Sequence, residues 1–129
     1  MISQGIRIAL LAGLVLVLGT IFYFAVINNS PLPYHPLVDG WNDTILHVGA
    51  FGLLTFIALL IWPPSRMLVV ALFCAGCAVE LFQIFVPTRE VDLTDIAANT
   101  FGIIFGGLAF LFLRQMKAWL WRQDSGLPE

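Results

Sequence analysis

Residues Glu80 to Asn99 read E-L-F-Q-I-F-V-P-T-R-E-V-D-L-T-D-I-A-A-N. The stretch joins the end of one apolar run to the start of the next through a short polar turn, Pro87-Thr88-Arg89-Glu90. Glu80 and Gln83 close the first run, and Asp92, Asp95 and Asn99 open the second. Ionisable residues at membrane depth are costly, so their concentration in one place calls for a reason.

The rest of the chain explains why membrane depth is the relevant frame. Its 129 residues are 60% hydrophobic and 11% charged, too apolar to cover the surface of a soluble domain. A net charge of −2 argues against a nucleic-acid binder, which presents a basic face. The class expected is an all-α membrane protein, a single domain over 1–129 built as a four-helix bundle. Its apolar runs lie at about 6–27, 43–62, 67–85 and 92–113, each close to the roughly 20 residues that cross the hydrocarbon.

The first run is longer than the roughly 7–15 apolar residues of a signal peptide and lacks its small-x-small cleavage site, so it reads as a retained helix. Asn28 to Asn42 holds three prolines and Asp39-Gly40, which makes it a turn-rich connector. Tyr34 and Trp41 suit a membrane–water interface, and His35 reads as a solvated loop residue. Pro63-Pro64 ends the second run, and the brief P-P-S-R turn implies that the second and third helices are antiparallel neighbours. After Leu113 comes a tail, 114–129, with Arg114, Lys117, Trp119, Trp121 and Arg122, amphipathic enough to lie on the membrane surface.

Orientation follows from the cations. With the N-terminus inside, Arg7, Arg66, Arg114, Lys117 and Arg122 are cytoplasmic and Arg89 is outside; the reverse orientation violates the positive-inside rule. Both termini are then cytoplasmic, and the Glu80–Asn99 region faces outward across the cytoplasmic membrane.

On that outer side the polar residues have helical spacing. Asp43 and His47 are four apart and share a face; Glu80 and Gln83 are three apart. Asp92, Asp95 and Asn99 fall within a stripe roughly 60° wide at 100° per residue. That stripe continues as Gly102, Gly106 and Ala109, and a G-x-x-x-G lets another helix approach closely. The carboxylates are therefore expected to point into the bundle, toward Glu80 and His47. Singly, each residue has a plainer role, since Asp92 and Asp95 suit a helix N-terminus and Arg89 can pair with Glu90 or Asp92. Together they outnumber what four packed spans require, and they are read as a pocket.

The residues also carry a resemblance. D-x-x-x-H-x-x-x-F-G-x-L-T-F (Asp43 to Phe56) followed by E-L-F-Q-x-F-V-P-T-R-x-x-D-L-x-D-x-x-A-N-x-x-G-x-x-x-G (Glu80 to Gly106) resembles the VanZ-like family of small bacterial membrane proteins, named for a teicoplanin-resistance protein. The resemblance covers the second to fourth helices and implies a cell-envelope membrane protein, with a link to glycopeptide tolerance in the namesake. Many members carry a lysine where this chain has Thr44, so a role that leans on that lysine does not carry over.

Three functions are open to these residues. In the first, the pocket binds or processes a lipid-linked or phosphate-bearing envelope molecule. His47 serves as acid/base because an imidazole's ordinary pKa of about 6.5 is nearest neutral, with Glu80 and Asp95 beside it. Asp43, Gln83, Arg89, Asp92 and Asn99 bind, Arg89 through its fork of donors. Asp92, Asp95 and Glu80 also offer oxygen ligands suited to magnesium or calcium, without a cofactor being specified. In the second, a non-enzymatic bundle associates with membrane-protein partners in envelope biosynthesis. The third takes Cys74-Ala-Gly-Cys77 as a redox C-x-x-C; small buried cysteines on a packed helix explain it more simply.

Overall fold

Inside a bilayer no water is available to the backbone, so a spanning segment must close its hydrogen bonds along itself. The computed structural model describes residues 3–26, 39–86 and 93–125, and there the regular structure is entirely α-helical. Helix α1 spans Gln4–Val26, α2 Asp39–Ile61, α3 Arg66–Gln83 and α4 Leu93–Ser125. All four are long and apolar enough to cross a membrane.

Three boundaries differ from the sequence expectation. Helix α2 begins at Asp39, so Asp39-Gly40 lies in its first turn and not in the connector, as suits residue types that tolerate helix starts. Helix α3 ends at Gln83 and is followed by a tight turn, in which the amides of Phe85 and Val86 donate to the carbonyls of Phe82 and Gln83. Helix α4 does not stop near Leu113 but continues unbroken to Ser125. Its 33 residues reach about 50 Å at 1.5 Å per residue, well beyond the ~30 Å hydrocarbon core.

The start of α3 is fixed locally. Ser65 is extended (φ −147°, ψ 153°), and its hydroxyl accepts from the Leu68 amide at 3.2 Å, an N-cap that satisfies one orphan donor.

The short turn between α2 and α3 does not make them the closest neighbours. These two helices touch least, while α2 and α4 form the most extensive interface; α1 lies on α2 and α3, and α3 lies on α4. Glycines decide this pairing. A Cβ on Gly102 would stand 2.5 Å from the Val48 carbonyl oxygen and 2.9 Å from Phe51 Cβ, and one on Gly106 would collide with the Gly52 carbonyl. The contacts advance together along both chains, so α2 and α4 run parallel with their backbones in close approach. Lipid is as apolar as leucine, so such van der Waals fit drives helix association here.

Phe51, Leu54, Leu72 and Ile103 form the core, with Leu14, Val17 and Ile21 of α1 packed against it. Phe22 of α1 meets Phe82 of α3 edge-on, ring centroids 5.6 Å apart. Most other large apolar side chains, among them Leu16, Met67, Phe85 and Phe112, face outward, as a bilayer permits.

Candidate functional site

Each polar side chain reaches the site because its helix turns the same face inward over several residues. On α2, His47 and Phe51 are one turn apart; Phe51 is fully buried and seats His47 above the core. On α3, Gly76 and Glu80 are likewise one turn apart and both are buried. A Cβ on Gly76 would lie 3.3 Å from Asn99 Cβ, so this glycine lets α3 close on α4 beneath Glu80. On α4, Asn99 stands about one turn and Asp95 about two turns above Gly102, on the face that meets α2 and α3.

The result is a cluster drawn from three helices. Glu80 and Asn99 are buried to within 2% of full enclosure, Asp95 is buried, and the His47 side chain is 11% exposed. Nδ1 of His47 lies 2.9 Å from Asn99 Oδ1. The Asn99 amide nitrogen donates to Glu80 Oε1 at 3.5 Å. His47 also stands 3.7 Å from Glu80 Oε1 through Nδ1 and 3.8 Å from Asp95 Oδ2 through Nε2.

Hydrogen-bond chemistry fixes the roles. A carboxylate only accepts, so Asn99 turns its NH2 toward Glu80 and its oxygen toward His47. That oxygen needs a donor, which places the proton of the neutral imidazole on Nδ1. Nε2 is then the basic nitrogen, and it faces Asp95. One donor atom from each of His47, Glu80 and Asp95 can be chosen so that all lie within 4.8 Å of one another.

Gln83 is buried one turn beyond Glu80, at the last residue of α3. The side chain of Asp43 and the residues Arg89 and Asp92 lie outside the described residues, as do His35 and Tyr34. Polar residues alone do not mark Gly52, Gly76 and Phe51 as part of the site; the spacing of Phe51 from His47 and of Gly76 from Glu80, four residues in each case, is the signal that points to the latter two. Cys74 and Cys77 are free thiols. Cys74 is exposed on the outside of α3, not buried as a packing role predicts.

A groove of about 140 Å³ between α1, α2 and α3, lined by Leu18, Leu54, Ala58, Trp62 and Leu72, is apolar and begins two turns along α2 from His47.

Comparison with known proteins gives a family model, described as VanZ/LLP1, that matches residues 22–114. The match takes in the whole cluster, from His47 to Asn99. No curated protein and no solved structure matches the chain.

Proposed function

Because the chain belongs to the VanZ/LLP1 family and folds into four membrane-length helices, we propose that its buried polar cluster is a site for a lipid-linked or phosphate-bearing molecule of the cell envelope. We place the cluster toward the outer face of the cytoplasmic membrane, the side that the cation distribution favours. The observation that carries this is the convergence of His47, Glu80, Asp95 and Asn99 from three helices on one point. Groups that merely capped their own helices would not meet. His47 presents a basic Nε2 there, Asn99 holds the ring, and Glu80 and Asp95 flank it, with Arg89 positioned by sequence to take an anionic group. A link to glycopeptide tolerance is carried over from the family's namesake alone.

The test is binding of a polyprenyl phosphate by the full chain in nanodiscs, beside the uncharged polyprenol. Saturable binding of the phosphate alone, lost in Arg89→Gln, is expected. Equal uptake of both lipids, or binding unaffected by Arg89→Gln, would overturn it.

The non-enzymatic alternative, association with envelope-building proteins, finds less support on the face first considered for it. Gly102 and Gly106 are covered by α2, so a partner would have to use the outward apolar surface instead.

A further inference from the structure

The distances inside the cluster are unequal in an informative way. His47 and Asn99 are at hydrogen-bond distance, 2.9 Å, whereas His47 stands 3.7 Å from Glu80 and 3.8 Å from Asp95. An imidazole paired directly with a carboxylate closes to about 2.7–2.9 Å. These carboxylates are held about an ångström further away, Asp95 opposite Nε2 and Glu80 on the Nδ1 side of the ring.

We propose that His47 Nε2, Asp95 and Glu80 bind one zinc-class divalent ion, with Asn99 as the group that orients the histidine. The inference deepens the reading of the cluster as an anion-binding site and rests on it. Two ligand atoms on a tetrahedral zinc, each about 2.0–2.1 Å from the ion, sit about 3.3 Å apart. The 3.8 Å between His47 Nε2 and Asp95 Oδ2 is within half an ångström of that. The wider limit of 4.8 Å for the set closes by side-chain rotation.

Three further features fit. A metal-bound histidine almost always gives its other N–H to an acceptor, and His47 gives Nδ1–H to Asn99. Two carboxylates and a neutral imidazole balance a +2 charge, which matters where unbalanced charge is expensive. Three protein ligands leave a position open, as in catalytic rather than structural zinc sites, and a phosphate oxygen suits that position. The donor set also revises the magnesium or calcium expectation. One imidazole with two carboxylates favours zinc over the hard oxygen-seeking cations.

The test uses the full chain in nanodiscs of neutral lipid, stripped with a chelator and titrated with Zn2+, and with Co2+ as a visible-absorption probe. One equivalent should bind, with cobalt ligand-field bands and with far weaker competition from Mg2+. Affinity should fall at least tenfold in His47→Gln and in Asp95→Asn, and 10–100-fold in Asn99→Ala, the usual effect of losing an orienting partner. Cys74→Ser/Cys77→Ser should bind as the unaltered chain does. A wild-type chain with no saturable site would overturn the proposal, as would binding that survives in His47→Gln or disappears with the cysteines. Should a variant lose its helical circular dichroism, diethyl pyrocarbonate labelling of the unaltered chain decides instead: Zn2+ should protect His47, and equal labelling with and without Zn2+ refutes the site. Polyprenyl phosphate binding by the metal-free chain would sink the metal and leave the functional reading standing. Zinc binding without phosphate binding would do the reverse.

Discussion

Nδ1 of His47 on α2 and the side-chain oxygen of Asn99 on α4 lie 2.9 Å apart, just above the stretch where Gly52, Gly102 and Gly106 bring the two backbones into close approach. The glycines bring the helices together, and that closeness lets a short amide on one reach a ring on the other. Packing and site chemistry are therefore parts of one interface.

Asn99→Leu should test that coupling. It removes both side-chain hydrogen bonds of Asn99 and strands the His47 N–H, at a cost of about 1–2 kcal/mol. Reversible unfolding in mixed micelles reads the change. A variant as stable as the unaltered chain would mean that the bond does not help to hold α2 to α4.

The glycines of α4 form a graded series. Gly102→Ala and Gly106→Ala drive a methyl into the α2 backbone and should each destabilise by about 1–3 kcal/mol. Gly107→Ala meets nothing within 4 Å, and alanine favours a helix over glycine by about 1 kcal/mol, so it should be neutral or stabilising. The same unfolding assay would expose the error if all three behaved alike.

Thr55 is buried, and its hydroxyl has no hydrogen-bond partner among the described residues, unlike Thr20 and Thr100, which donate to the carbonyls of Leu16 and Ile96. Thr55→Val keeps the branched shape against Gly106 and removes an unsatisfied polar atom, so stability should hold or rise. A loss of more than about 1 kcal/mol would reveal that the hydroxyl is bonded.

Sidedness can be read directly. In a chain carrying Cys74→Ser and Cys77→Ser, a cysteine introduced at Gln123 should resist an impermeant maleimide in intact spheroplasts and react after lysis. Immediate labelling would place this end outside and the polar cluster on the cytoplasmic side.

Much of this organisation is legible in the sequence because period and composition act within single helices. The four apolar runs, the i, i+4 relation of Asp95 to Asn99, and the Gly102–Gly106 face all follow from helical spacing. What crosses between helices is harder. The short P-P-S-R turn made α2 and α3 natural partners, yet the glycines at 52, 102 and 106 draw α2 to α4 instead. Arg114 marks the end of the apolar run, but not of the helix. Arg, Gln, Met, Lys, Ala and Leu are strong helix formers, no proline or glycine interrupts them before Gly126, and Arg114 stacks over Phe110 at 5.8 Å. Asp39-Gly40 has turn composition, which a helix start shares. Which of eight polar residues converge is a three-dimensional question, and His47, Glu80, Asp95 and Asn99 answer it for the residues described.

The central claim is that this cluster holds a phosphate-bearing envelope molecule, and native mass spectrometry of the chain extracted with its own lipids tests it most directly. The comparison is Glu80→Gln, which keeps the size of the side chain and its acceptor oxygen toward Asn99 while removing the charge. A phosphate-bearing lipid retained by the unaltered chain and lost from an equally stable Glu80→Gln is the predicted result. Identical bound species on both would contradict it and leave a polar network that only holds the helices together.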